Sequence, residues 1–100
     1  MVAPLFVFAS TARRMHDGPL GRYVDGFADF LRERGHPREA IRTRIRLMAD
    51  LSRWLKRRGQ GVRNVTAQGG EEFLRSRWRR IACRRGERGR LFVLCDHLRQ

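Results

Sequence analysis

One hundred residues are enough for one small domain and too few for two separate cores, because a chain of this length buries only about two-thirds of its unfolded surface. Hydrophobic residues make up 41% and charged residues 33%, and the apolar positions recur with a helical period, which excludes disorder throughout. Lysine and arginine number 23 against 10 aspartates and glutamates, a net charge of +13, so the expected partner is a polyanion.

Residues 1–17 are read as an N-terminal arm or tail and residues 18–100 as a helical domain. The opening run Val2 to Ala9 is apolar but too short to span a bilayer, and the basic pair Arg13-Arg14 follows it, unlike the order in a secretion signal. A cytoplasmic protein with reduced thiols is expected. After the breaker cluster Asp17-Gly18-Pro19, the residues Leu20, Tyr23, Val24, Phe27, Phe30 and Leu31 share one face at helical spacing and predict a first helix, stopped by Gly35. His36-Pro37 sets up a second helix, predicted from Pro37 to Arg58, with Ile41, Ile45, Leu47, Met48, Leu51, Trp54 and Leu55 as its apolar sector and Gly59 and Gly61 ending it. Thr66 is the expected N-cap of a third helix that begins at or just before Glu71 and Glu72 and buries Phe73, Leu74, Trp78 and Ile81. Gly69-Gly70 weakens its start. Residues 84–90 read as a basic loop, and Leu91, Leu94, Cys95 and Leu98 predict a short fourth helix.

The charge is unevenly spread. Residues 1–37 carry five bases and four acids, residues 38–90 carry seventeen and five, and residues 91–100 carry one of each, so the binding surface belongs to the middle of the chain. All but Lys56 of the bases are arginine, whose planar fork matches phosphate oxygens. At 100° per residue, Arg42, Arg46, Arg53 and Arg57 fall within a stripe about 60° wide beside the apolar sector of the second helix. Arg44 departs from it, pointing into the apolar sector, where it is expected to snorkel or to mark the rim of the core. With Arg84 and Arg85 of the basic loop, these are the candidate DNA-binding residues: Arg42, Arg44, Arg46, Arg53, Arg57, Arg84 and Arg85. Contacts of this kind set position and register on a duplex; they do not by themselves read sequence.

The stretch from Gly18 to Gly35, a second helix opening with basic residues, Ser52-Arg-Trp-Leu-Lys-Arg-Arg-Gly59, then Val65-Thr66 and Phe73-Leu74, resembles the N-terminal core-binding domain of the tyrosine recombinases, the phage-type integrases. The likeness covers residues 18–98. It implies an all-α, four-helix, SAM-like orthogonal bundle that clamps one side of a recombination-site duplex. It also implies that strand cutting belongs to a separate catalytic domain, so this chain is expected not to be an enzyme by itself, but a remnant, a split reading frame or a fragment. A recombinase catalytic domain or other recombinase subunits would then be partners besides duplex DNA. Gly69-Gly70 and the Arg-Gly loop at 84–90 depart from the usual pattern of that domain.

Other readings of single residues are weaker. Trp54 and Trp78 are spaced for the core rather than for stacking on bases, and Tyr23 lies on an apolar helix face, which suits packing rather than phosphoryl attack. Cys83, Cys95 and His97 lack the paired close spacing and the fourth ligand of a zinc site, and no metal or other cofactor is expected. His16, His36 and His97 occur singly, and no catalytic role is assigned to them. No membrane partner and no small-molecule substrate are expected. Two alternatives stay open: a stand-alone regulator in which the first two helices act as a helix-turn-helix, for which the second helix is long, and an RNA-binding or protein-interaction module.

Overall fold

The computed structural model describes residues 13–80 and 86–99, and among these every regular element is helical. A 3-10 turn, Gly21–Tyr23, leads into α1, Val24–Glu33; α2 spans Arg38–Arg57; a second 3-10 turn, Val62–Asn64, precedes α3, Ala67–Arg80; and α4 spans Glu87–Arg99. Within the described residues, the order of these four helices agrees with the sequence reading.

Both ends of the α1–α2 pair are set by glycine. Gly35, at φ +81°, and Gly59, at φ +66°, adopt the left-handed conformation that other residues resist. In each case the amide three residues past the helix folds back, His36 N–H onto the Leu31 carbonyl at 3.1 Å and Gln60 N–H onto the Leu55 carbonyl at 2.9 Å, which satisfies carbonyls the helix would otherwise leave open. Thr66 caps α3 as expected, its hydroxyl accepting from Gly69 N–H at 3.0 Å.

The apolar faces meet in one core. Leu20, Val24, Phe27 and Leu31 are buried from the first segment, and Ile41, Ile45, Leu47, Met48, Leu51, Trp54 and Leu55 from α2. Phe73 and Leu74 from α3 and Leu91, Leu94 and Cys95 from α4 close it, with Trp78 and Leu98 at the margin. Trp54 lies edge-on to Phe73 with ring centroids 5.7 Å apart, so it is a core residue, as its spacing predicts. α1 packs on α2, and α4 packs on both α2 and α3. The α1–α4 contact is aromatic: His97 sits 5.2 Å from the Phe27 ring and 4.7 Å from the Phe30 ring.

One expectation needs correction. The basic loop predicted at 84–90 is not a loop over its second half, because Glu87 to Arg90 form the first turn of α4, packed so that Glu87 is buried. Residues just before position 18 also pack with the helices. Met15 is buried in the core, the Ser52 hydroxyl donates to the Asp17 carbonyl at 2.8 Å, and Lys56 donates to the Asp17 carboxylate at 3.0 Å, so residues 15–17 belong to the bundle. Among the described residues, no helix is long and apolar enough to cross a membrane.

Candidate nucleic-acid interface

The five carboxylates of the basic segment are all engaged by arginine. Arg42 donates to Glu39 at 2.8 Å on the same helix, Arg58 to Glu72 at 3.4 Å, and Arg88 to Glu71 at 3.0 Å. The other two, Asp50 and Glu87, form an interior cluster. Arg77 of α3 donates through Nε and Nη2 to Glu87 of α4 at 3.1 and 3.2 Å, and through Nη1 to Asp50 of α2, to which Arg53 also donates. The indole N–H of Trp78 adds a further bond to Glu87 at 3.0 Å. Burial works against the charge on Arg77, but the hydrogen bonds to Glu87 and Asp50 and their charges outweigh it and hold its pKa above the ordinary arginine value. Three helices are thus joined at one guanidinium.

This cluster forms the floor of a cleft of about 330 Å³ lined by Arg14, Met15, Thr43, Arg46, Leu47, Asp50, Arg53, Arg77, Glu87 and Arg90. Five arginines face two carboxylates there, and both carboxylates are already bound by the cluster. The cleft is therefore electropositive. Arg53 donates to Asp50 through one terminal nitrogen, while its Nη1 is buried with no hydrogen-bond partner.

The predicted stripe on α2 is only partly uniform. Arg46 and Arg57 are exposed, whereas Arg42 and Arg53 are half-buried and each holds a carboxylate three residues earlier on the helix. Arg46 and Arg53 line the cleft. Arg44 lies well away from this stripe, about 140° round the helix from Arg57 at 100° per residue. Its guanidinium is part-buried, Nη1 lacks a hydrogen-bond partner, and burial followed by the charge of Arg90 lowers its pKa. That placement, off the stripe, matches the rim position expected for it. Arg84 and Arg85 lie outside the described residues, as do Ile81 and Cys83.

The positive charge is not confined to one edge. A second groove, about 420 Å³, is lined by Trp54, Arg58, Glu72, Arg75, Ser76 and Arg79, with the Arg58 guanidinium 4.6 Å from the Trp54 ring centroid. Arg58 sits about 100° round α2 from Arg57, so the molecule carries arginines on two flanks of that helix.

Arg77, Glu87 and Arg90 are the site residues that sequence reasoning missed. A signal for Glu87 exists: with Leu91, Leu94, Cys95 and Leu98 it occupies positions i, i+4, i+7, i+8 and i+11, one helical face with an acid in the first turn. The Arg-Gly composition of its neighbours hides it. Among the described residues there is no group of three or more His, Cys, Asp or Glu side chains placed to hold a metal ion. Comparison with protein-family models, curated proteins and solved structures finds no match to this chain.

Proposed function

We propose that the chain is a duplex-DNA-binding module of an integrase-like tyrosine recombinase, its bundle being of the core-binding, SAM-like type and strand cutting belonging to a separate catalytic domain. The observation that carries the DNA-binding part is the cleft at the foot of the α2 stripe, where Arg46, Arg53 and Arg90 converge in a segment with seventeen bases against five acids. A segment so charged repels itself unless a polyanion neutralises it. The recombinase part rests on the sequence resemblance over residues 18–98.

The ion pairs on α2 do not oppose this reading. The Glu39 partner of Arg42 is 80% exposed, and an exposed pair is worth only about 0–1 kcal/mol, so a phosphate competes with it readily. Binding is driven by counterion release, each neutralised phosphate adding about 0.9 to the negative slope of log affinity against log salt. Duplex affinity measured over a salt series tests it. Replacing Arg42, Arg46, Arg53 and Arg57 with glutamine weakens binding and flattens the slope while helicity by circular dichroism is retained; unchanged affinity and slope reject the assignment.

A further inference from the structure

We propose that the cleft between α2, the end of α3 and the start of α4 is a phosphate seat, in which Arg46, Arg53 and Arg90 hold one phosphate-bearing group. The proposal deepens the DNA-binding reading and rests on it only for the source of the phosphate.

The cleft has the size, charge and rigidity that this role requires. Its 330 Å³ is the space of about eleven waters at roughly 30 Å³ each, room for a phosphate together with its ester oxygens or for a free diphosphate. Carboxylates in the floor would normally repel an anion. Here Glu87 accepts from Arg77 and Trp78, and Asp50 accepts from Arg77 and Arg53, so their charge is already opposed within the protein. Arg90, by contrast, pairs with no carboxylate of the described residues and faces the like charge of Arg44. An anion beside Arg90 relieves that repulsion. The floor is tied to three helices through Arg77, and Arg53 is held to it through Asp50 before a ligand arrives.

Arg46, Arg53 and Arg90 come from two helices, and the ligand therefore bridges α2 and α4. The second basic groove, at Arg58, Arg75 and Arg79, has no such carboxylate-braced floor: Glu72 alone lines it, bonded to Arg58.

Titration of the full chain with inorganic pyrophosphate at fixed ionic strength, followed by the phosphorus NMR line and by thermal denaturation, tests the seat. Saturable binding and a rise in Tm beyond that given by chloride at the same ionic strength are expected. Arg90→Gln weakens pyrophosphate binding by about tenfold or more, the loss of one hydrogen bond to a charged group, and Arg46→Gln with Arg90→Gln removes it. Arg22→Gln, an exposed position on the first 3-10 turn, leaves it intact. A response no larger than that of chloride, or one that survives in the double variant with its helicity preserved, overturns the proposal. Competition by a duplex assigns the phosphate to the nucleic-acid backbone. Saturable pyrophosphate binding with no competition by a duplex assigns the seat to a free phosphate compound, so that the DNA-binding reading falls while the seat stands.

Discussion

Arg77 on α3 grips Glu87 at the first turn of α4 through two guanidinium nitrogens, with the two side chains only 12% and 4% exposed. A buried carboxylate of this kind is stable only while its partner is present, because losing one partner leaves an uncompensated charge in a poorly solvated place. Glu87→Leu is therefore expected to lower the unfolding free energy by about 3 kcal/mol, Arg77→Met to lower it by a similar amount, and the two together to cost clearly less than the sum. Urea denaturation of the two single variants and the double variant checks this. Additive losses in the cycle would show that the two side chains act separately.

Gly69 is expected to resist the substitution that helix propensity favours. A Cβ there would sit 2.5 Å from the Asn64 carbonyl oxygen, a backbone atom that cannot swing away. Gly26, the third residue of α1, has nothing within 4 Å of the same position. Gly26→Ala should stabilise the protein by about 0.5–1 kcal/mol, whereas Gly69→Ala should destabilise it. Thermal denaturation of the pair decides, and a rise in Tm for both would remove the steric argument at Gly69.

Ser52 is buried, donating to the Asp17 carbonyl at 2.8 Å and accepting from Leu20 N–H at 3.0 Å. Ser52→Ala leaves both backbone groups without their partner and is expected to cost about 1–3 kcal/mol. Denaturant titration gives the number. A loss under half a kilocalorie would mean that water replaces the hydroxyl.

His97 lies against Phe27 and Phe30, and burial lowers its pKa below the ordinary histidine value. The unfolded chain then takes up a proton at about pH 6.5 that the folded chain refuses until lower pH. The contribution of His97 is complete above that pH and is lost as pH falls through the folded-state value. Stability measured from pH 8 to pH 5 should decline at the acid end by less in His97→Phe than in the parent protein; an identical decline in the two proteins would show that other groups cause it.

The core was legible because each helix repeats its apolar residues on one face. Ile41, Ile45, Met48, Leu51 and Leu55 need no tertiary information to be placed inside, and Gly35, Gly59 and Thr66 mark helix limits through local backbone chemistry. The cleft was not legible in the same way. Asp50, Arg77 and Glu87 come together only when three helices pack, and no spacing along the chain encodes a contact between residues 27 positions apart. Gly69-Gly70, which reads as a weakness in α3, is a close-packing requirement once Asn64 and Leu91 are in place. The stripe on α2 was visible as geometry, but the carboxylates beside Arg42 and Arg53 divide it into positions of different character.

The stitching of Asp17 and Leu20 to the middle of α2 by one hydroxyl sets where the molecule can be trimmed. A version beginning at residue 18 would forfeit the acceptor on Asp17 and the side chain of Met15 that covers the core, and would expose apolar surface to solvent. A trimmed form that keeps the core covered is therefore expected to retain Met15.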